Sequence, residues 1–180
     1  MPDIPALGEP VIEFNEEPDG RYLQGFGGDT SNAAIAAARL GASVRYLTML
    51  GADRFGDAFM ALWQREGVDA SLVGRRATAP TAVYFVNHTE AGHTFTYLRA
   101  CSAASCMTPS DYPDTAFSGG RFLHVSAVSQ AISVSARETV AHGVNVAKRG
   151  GASLSYDTNL RLRLWALEAA RPVIEATAKG

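Results

Sequence analysis

A glycine-rich loop that runs directly into an alanine-rich segment constrains this chain more than any other feature. Residues 25–41 read Gly-Phe-Gly-Gly-Asp-Thr-Ser-Asn-Ala-Ala-Ile-Ala-Ala-Ala-Arg-Leu-Gly. Gly27 and Gly28 lack a Cβ, so the backbone there can turn tightly and approach a ligand closely. Asn32 falls beside this loop, and its amide offers both a donor and an acceptor. The stretch predicts a strand-to-helix turn that can hold a polyhydroxylated molecule, and it equally suits a tight turn without a ligand.

The alanine-rich segment itself predicts a helix. Asp29, Thr30 and Ser31 are candidate N-caps, and Gly41 supplies a left-handed stop. Residues 33–40 contain one polar side chain, so we expect this helix to be buried on most of its sides. The loop also resembles the start of a dinucleotide fingerprint, but Thr30 stands where its third glycine would be.

Composition excludes several classes of protein. The 180 residues are 47% hydrophobic and 19% charged, which is typical of a globular chain, and the net charge of -2 gives no general attraction to nucleic acid or anionic membranes. No apolar run reaches membrane-spanning length, and no signal-peptide pattern opens the chain. We therefore expect a cytoplasmic protein without a nucleic-acid or membrane partner. Cys101 and Cys106 are expected to be free thiols.

Strand and helix patterns alternate along most of the chain. Strands are predicted at 4–7, 43–50, 121–126 and 152–157, and helices at 55–66, 135–149 and 164–178, where Pro172 is expected to kink or restart the last helix. This alternation favours an α/β fold with a parallel sheet covered by helices.

Two hairpins interrupt the alternation. Residues 11–15 and 22–24 flank a Pro-Asp-Gly turn, and residues 81–87 and 93–98 flank Glu-Ala-Gly. We expect them to form a small β lid, from about 11–25 and 79–99, laid over the main sheet of a single domain.

Polar residues follow the last predicted strand. Asp157, Asn159 and Arg161 stand at alternate positions and point the same way if the segment is extended. Arg99, at the end of the second hairpin, could join Arg161 in gripping a carboxylate or phosphate. The alternative is a loop whose Asp and Asn cap the next helix while Arg161 faces solvent.

Other polar and aromatic residues are explained more simply. Tyr84 lies in a hairpin strand, where cross-strand packing is commoner than ligand contact. His88 and His93 have no further ligands around them, so we expect no metal site. His124 is expected to be a hydrogen-bonded core histidine.

The order of motifs resembles the ribokinase-like carbohydrate kinases of the phosphofructokinase-B type, and among them the 2-keto-3-deoxygluconate kinases. The matching motifs are residues 7–10 (Leu-Gly-Glu-Pro), 27–32 (Gly-Gly-Asp-Thr-Ser-Asn), 50–56 (Leu-Gly-Ala-Asp-Arg-Phe-Gly), 97–99 (Tyr-Leu-Arg) before 102–105 (Ser-Ala-Ala-Ser), and 157–161 (Asp-Thr-Asn-Leu-Arg) before 164–165 (Leu-Trp). Together they extend over nearly the whole chain.

The resemblance implies a Rossmann-like three-layer α/β sandwich with a β lid, and transfer of the γ-phosphoryl group of ATP to a hydroxyl of a sugar acid, with Mg²⁺. It implies that the sugar is bound from below by its hydroxyls, from the lid by aromatic rings, and at its acid end or transferring phosphoryl group by two arginines. The residues implied in those roles are, in that order, Gly28 and Asn32, Tyr84 and Tyr97, and Arg99 and Arg161. It also implies that Asp157 and Asn159 orient Arg161 and the metal–phosphate side.

Two departures from the family pattern matter. Cys101 stands where the family usually has glycine, and the Gly-Ala-Gly-Asp motif that carries the family's catalytic aspartate is absent. We therefore expect the N-terminal part of such a kinase, without a catalytic or metal-binding residue and without phosphorylating activity alone. We also expect the C-terminal half of the sheet to be missing, the sheet flank to be exposed, and a homo-oligomer to form through the lid.

Three other functions are considered. A related kinase for a neutral sugar or a nucleoside would not require a carboxylate on its substrate. A non-catalytic sugar-binding or dimerising module would have no ATP half. A nicotinamide dinucleotide-binding domain is disfavoured by Thr30 and by the two hairpins.

Overall fold

The computed structural model describes residues 2–179, which contain ten strands and five α-helices. The strands are β1 (Ile4–Leu7), β2 (Val11–Glu16), β3 (Tyr22–Gly27), β4 (Val44–Leu47), β5 (Met49–Gly51), β6 (Gly74–Arg76), β7 (Ala82–Thr89), β8 (Gly92–Leu98), β9 (Phe122–Ser126) and β10 (Ser153–Asp157). The helices are α1 (Asp29–Arg39), α2 (Arg54–Arg65), α3 (Ala127–Ala131), α4 (Val134–Arg149) and α5 (Leu167–Lys179).

The main sheet has four parallel strands in the order β10-β9-β1-β4. Parallel neighbours need a crossover connection, and helices lie in the connections between these strands. The α/β class with a parallel sheet, which the alternating pattern predicts, is confirmed.

Helices pack on both faces of the main sheet, because successive side chains of a strand point to opposite sides. In β1, Leu7 belongs to a core cluster with Val140 of α4. The preceding residue, Ala6, belongs to a second cluster with Phe59 and Trp63 of α2. The layers are therefore helix, sheet and helix, as expected for a three-layer sandwich.

The two predicted hairpins are confirmed, and they form one second sheet. Its order is β3-β2-β7-β8, with antiparallel pairs within each hairpin and a parallel pair, β2 with β7, joining them. Phe14 of β2 contacts Phe55 of α2 edge-on, with ring centroids 5.8 Å apart. Phe26 of β3 contacts Phe59 in the same way at 5.2 Å. One face of this sheet is therefore packed on α2.

Residues 43–50 are predicted as one strand, but they form two. β4 pairs with β1 in the main sheet, whereas β5 pairs with β6 in a separate two-stranded sheet. Thr48, which lies between them, is fully buried. The prediction is wrong because a run of buried residues continues where the chain leaves one sheet for another. β6 is absent from the prediction, and Gly74 lets it approach β5, since a Cβ there would lie 2.1 Å from the sulfur of Met49.

The start of α1 also differs from the prediction. Its N-cap is Gly28, and no side chain caps the helix. The expected caps are used elsewhere: the hydroxyl of Thr30 lies 2.8 Å from that of Tyr46, and Ser31 accepts a 3.0 Å hydrogen bond from the indole of Trp63. Thr30 and Ser31 therefore bind α1 to the core instead of capping its first turn.

The expectation that α1 is buried on most sides is wrong. Its buried residues are Thr30, Ser31 and Ala34. Beside it lies an open groove of about 520 Å³, lined by Ile4, Ala6, Ala33, Ala34, Ala37, Phe122, His124, Leu154 and Ser155. The small side chains of Ala33, Ala34 and Ala37 line this groove together with residues of β1, β9 and β10. At the sheet's flank, the edge strand β10 has only exposed and half-buried residues, as expected, and its effect on association stays a prediction.

Three local predictions have clear outcomes. Gly41 follows α1 with a φ of +91°, as a left-handed stop requires. The last helix begins at Leu167, three residues after its predicted start, and continues through Pro172 without a restart. Cys101 and Cys106 are free thiols. No helix among residues 2–179 combines the length and apolar character needed to cross a bilayer.

Asp53 joins α2 to the second sheet. It is the N-cap of α2, and its carboxylate accepts hydrogen bonds from the backbone of Gly56 at 2.8 Å and from the backbone and hydroxyl of Thr81 at 2.8 and 2.9 Å. Burial raises the pKa of Asp53, but the bonds from Thr81 and Gly56 outweigh burial, so its pKa lies below the ordinary 3.8.

Replacing Asp53 with alanine is expected to lower the free energy of unfolding by about 2 kcal/mol at pH 7, because a cap and two further bonds are lost. Since the pKa of Asp53 is lower in the folded chain, this advantage of the wild type is present above the unfolded pKa of 3.8 and is lost as the pH falls through the folded pKa. Urea denaturation at pH 7 and pH 3 measures both quantities. The control is Asp57→Ala, on the exposed side of α2. If the wild type exceeded Asp53→Ala in unfolding free energy by the same amount at both pH values, the account would be contradicted.

Candidate functional site

The carboxyl ends of three neighbouring strands meet at one edge of the main sheet. Glu9 lies two residues beyond β1, Ser126 ends β9, and Asp157 ends β10. The beginning of α1 lies at the same edge, since the amide of Asn159 donates a 3.0 Å hydrogen bond to the carboxylate of Asp29. Open parallel sheets bind ligands outside the carboxyl ends of their strands, so this edge is the candidate site.

Gly28 closes the glycine loop against the chain that follows β1. Its φ is +103°, and a Cβ at this position would lie 2.6 Å from the carbonyl oxygen of Glu9 and 2.9 Å from the Cα of Pro10. The tight backbone approach predicted for the loop is present, and here it is made to the backbone of residues 9–10. Only glycine fits both the dihedral angle and the space.

Asn32 lies on the first turn of α1, as predicted. Its backbone N–H donates to the carbonyl of Gly28 at 2.9 Å, which fixes the residue beside the loop. Its side chain is exposed. The amide is therefore free to meet a ligand that enters at the sheet edge.

Arg99 and Glu9 form a buried ion pair between the two sheets. The Nη2 of Arg99, one residue after β8, donates to the Oε2 of Glu9, and the other oxygen of Glu9 accepts a 2.6 Å bond from the hydroxyl of Ser102. The side chain of Arg99 is 15% exposed and that of Glu9 is 1% exposed. The Nε of Arg99 is buried without a hydrogen-bond partner in the described part of the chain.

The environment of Glu9 acts on its charge in two directions. Burial raises the pKa of the carboxyl above its ordinary value, while the Arg99 guanidinium and the hydrogen bond from Ser102 lower it; burial is the larger effect. The nearby carboxylate of Asp29 also raises this pKa. A buried carboxylate of this kind is costly unless paired, and Arg99 supplies the pairing charge.

The two tyrosines predicted to contact a sugar from the lid are neighbours. Tyr84 of β7 and Tyr97 of β8 are opposite each other in register, with ring centroids 5.4 Å apart. The guanidinium carbon of Arg99 lies 5.7 Å from the centre of the Tyr97 ring. Tyr84 donates its hydroxyl hydrogen bond to Glu13, and burial together with this carboxylate raises the pKa of Tyr84. The tyrosines thus also pack across strands, as the alternative interpretation holds.

The segment after β10, residues 158–161, has no regular secondary structure. The backbone N–H of Asn159 donates to the carboxylate of Asp157 at 3.0 Å, and its side chain bonds Asp29. Residues 158–161 form neither a turn nor a bend, so the expectation of an extended segment is not contradicted, and the common direction of the three side chains stays a prediction. Arg161 is exposed and donates to the carbonyl of Leu160 at 3.1 Å. Among residues 2–179, no hydrogen bond or ion pair joins Arg161 to Asp157 or Asn159.

The structure therefore brings some predicted residues together and leaves others apart. Tyr84, Tyr97 and Arg99 form a continuous row, and Gly28 contacts the backbone next to Arg99's partner. Among residues 2–179, Arg161 makes no hydrogen bond or ion pair with that row. The two arginines are thus unequal, because Arg99 is already paired with a carboxylate and Arg161 is not.

Sequence reasoning missed Glu9, Ser102 and Asp29 as members of this site. Glu9 stands in the first motif of the resemblance, directly beyond an apolar strand, which is a signal for a buried, functional carboxylate. Asp29 is considered only as a helix cap, whereas it accepts from Asn159. Ser102 also stands in a motif of the resemblance, but its role depends on a partner 93 residues away.

His124 lies on β9, in the main sheet. The Nδ1 of His124 lies 3.0 Å from the hydroxyl of Ser155, and burial lowers the pKa of His124. The expected hydrogen bond is present, but His124 is half-buried and lines the open groove beside α1, so it is not a core residue. Within residues 2–179, no three or more His, Cys, Asp or Glu side chains are grouped so that they could hold a metal ion.

Comparison with known proteins identifies a family. Residues 1–179 match the pfkB family of carbohydrate kinases. The 2-dehydro-3-deoxygluconokinase of Bacillus subtilis (strain 168) is 32% identical over 171 residues, which cover 91% of this chain and 53% of that protein. The fructokinase of Klebsiella pneumoniae is 32% identical over 161 residues, which cover 89% and 52%. The chain thus spans about half the length of these relatives.

Solved structures agree. A PfkB protein from Polaromonas sp. JS666 has a TM-score of 0.93 and 31% identity, with 99% of this chain and 63% of that chain covered. A fructokinase from Xylella fastidiosa with bound ATP has a TM-score of 0.89 and 29% identity, with 98% and 55% covered.

Proposed function

The chain belongs to the pfkB family of carbohydrate kinases, and from this membership we propose that it carries the sugar-binding half of an ATP-dependent sugar kinase. The observation that supports this most is the contact between the two sheets. Arg99 at the end of β8 is ion-paired with Glu9 beyond β1, next to the ring of Tyr97. This contact brings together polar groups that suit a molecule with several hydroxyls.

The proposed substrate is the sugar acid 2-keto-3-deoxygluconate. In this proposal Gly28 and Asn32 meet sugar hydroxyls, Tyr97 covers the sugar from the β lid, and Arg161 meets the acid end. A relative with the corresponding name supports this choice. Arg161 suits the role because it is exposed and has no ion-pair partner among residues 2–179. Asp157 and Asn159 hold the segment that carries it, through the bonds of Asn159 to Asp157 and Asp29.

A neutral sugar is the second candidate, and one observation favours it. Arg99, which could have strengthened recognition of a carboxylate, already has its charge opposed by the buried Glu9. A fructokinase of similar identity is also among the relatives. Binding of a sugar without a carboxylate would support this candidate. A non-catalytic binding module would also bind sugar, but a longer form of the chain would then transfer no phosphoryl group.

ATP and Mg²⁺ belong to the proposal through the family. When bound, ATP supplies the phosphoryl group and Mg²⁺ offsets its charge. The described residues contain no group suited to hold the metal, and we assign neither a catalytic base nor a nucleotide contact to them. We propose that those parts correspond to the portion of the relatives that this chain does not match. The contribution of this chain is then to bind and orient the acceptor sugar.

The open face of the second sheet is the proposed contact between copies of the chain. Leu23 and Phe95 lie in one row across that face, on the two edge strands β3 and β8, and are 63% and 42% exposed. Apolar side chains grouped in this way favour association. We propose a cytoplasmic homo-oligomer that forms through the β lid.

Titration calorimetry of the chain with 2-keto-3-deoxygluconate tests the proposed function. The wild type is expected to bind, and Arg161→Gln to weaken binding by about thirtyfold, since a charged hydrogen bond is lost. Arg163→Gln, two residues away and also exposed, is the matched control and is expected to change affinity less than about twofold. Equal affinity of all three proteins would exclude Arg161 as the carboxylate-binding residue, and absence of any sugar binding would contradict the proposed function of the isolated chain.

A further inference from the structure

Arg99 is restrained on several sides before any ligand arrives. Glu9 binds its Nη2, the ring of Tyr97 lies 5.7 Å from its guanidinium carbon, and its side chain is 15% exposed. Its Nε is enclosed as well, without a partner among residues 2–179. A long, flexible arginine side chain is thereby held in one arrangement.

Glu9 is in turn held by the main sheet. It follows β1 closely, and the hydroxyl of Ser102 donates to it at 2.6 Å. Ser102 is fully buried, and its hydroxyl also accepts a 3.2 Å bond from the backbone of Ser105. The contacts therefore run from the edge of the main sheet through Glu9 to the arginine at the end of the second sheet.

We propose that Glu9 is a positioning residue that sets Arg99 in the sugar site and opposes its charge, so that the preference for an acidic over a neutral sugar rests on Arg161. This inference rests on the proposed function of the site. It goes beyond that function because Glu9 reaches the sugar only through Arg99.

The charge of Glu9 affects which sugars Arg99 attracts. A guanidinium paired with a buried carboxylate still offers directed N–H groups, but its net attraction for a second carboxylate is reduced. Asp29 adds another negative charge close enough to raise the pKa of Glu9. Arg161 lacks such a partner in the described residues. Loss of Glu9's charge should therefore affect acidic and neutral sugars differently.

The test uses Glu9→Gln, which keeps the size of the side chain and removes its charge. Glu66→Gln is the matched control, because Glu66 also binds an arginine, Arg39, but on the exposed surface far along the chain. Ser102→Ala is the second variant. It removes the hydrogen bond that holds Glu9 but keeps the negative charge opposite Arg99. This variant keeps the test usable if Glu9→Gln fails to fold.

Two readouts are measured. The first is the hydrogen-exchange rate of the Arg99 side-chain Nε–H by NMR, assigned with Arg99→Lys, which does not depend on a sugar. Glu9→Gln is expected to raise this rate at least about tenfold and Ser102→Ala to raise it less, with no change in Glu66→Gln. The second is the affinity for fructose and for 2-keto-3-deoxygluconate by calorimetry.

For sugars, Glu9→Gln is expected to weaken fructose about tenfold and the sugar acid less than about threefold, because the freed positive charge compensates in the acid alone. A merely structural role would weaken both sugars equally. Such equal weakening overturns the charge part of the proposal, and an unchanged Arg99 exchange rate in Glu9→Gln and Ser102→Ala overturns the positioning part. A changed exchange rate without binding of either sugar supports positioning and rejects the proposed sugar site.

Discussion

Replacing Gly28 with alanine is expected to lower the free energy of unfolding by about 3 kcal/mol and to abolish sugar binding. The residue has a φ of +103°, which disfavours a side chain. A Cβ would also lie 2.6 Å from the carbonyl oxygen of Glu9 and 2.9 Å from the Cα of Pro10, both backbone atoms that cannot turn away. The loop must then separate from residues 9–10, which include Glu9, the ion-pair partner of Arg99.

Gly41→Ala is the matched control for this variant. Gly41 also has a positive φ, +91°, but a Cβ there would have no heavy atom within 4 Å. Its replacement is expected to cost about 1 kcal/mol from the dihedral angle alone and to leave sugar affinity unchanged. Urea denaturation and calorimetry of both variants measure the difference. Gly28→Ala that is as mild as Gly41→Ala would show that the close contact in the loop is unimportant.

The second large effect is expected for Trp63→Ala, at about 4 kcal/mol of unfolding free energy, because removing a fully buried indole leaves a large cavity. Its ring centroid lies 4.6 Å from that of Tyr46 and 5.2 Å from that of Phe59. Its N–H donates to Ser31 on the first turn of α1. The residue therefore supports both the core and the helix that presents Asn32.

Two tryptophan-to-phenylalanine variants separate the contribution of the hydrogen bond to stability from that of packing. Trp63→Phe loses the bond to Ser31 and is expected to cost about 2 kcal/mol. Trp165→Phe is the control, because the buried indole N–H of Trp165 has no partner within residues 2–179, and its cost is expected to be smaller by about 1 kcal/mol. Thermal denaturation measured by circular dichroism compares the two, and equal losses would argue against the role given to the Ser31 bond.

The sequence predicts those parts of the fold that depend on local patterns. The strands of the main sheet and both hairpins follow from runs of apolar residues and from turn residues such as Gly20, whose φ is +79°. The pattern fails at residues 43–50, because an apolar run has the same appearance whether the strand stays in one sheet or passes to another.

The candidate site was less predictable because its geometry depends on contacts far apart in sequence. Gly28 and Asn32 could be proposed from the loop, and Arg99 and Arg161 from their chemistry. The pairing of Arg99 with Glu9 joins residues 90 positions apart, and no spacing rule reveals it. Asn159 shows the same difficulty, because its side chain binds the carboxylate of Asp29, 130 positions away in the sequence.

The central claim is that this chain holds a sugar-binding site at the edge of the main sheet, beneath the second sheet. The most direct test is a ¹H–¹⁵N NMR titration of the chain with 2-keto-3-deoxygluconate and, separately, with ATP-Mg²⁺. The account predicts that the sugar shifts the backbone signals of Gly28, Asn32 and Tyr97 together, while ATP-Mg²⁺ leaves them unchanged. Shifts with nucleotide alone, or sugar-induced shifts confined to other regions, would contradict it.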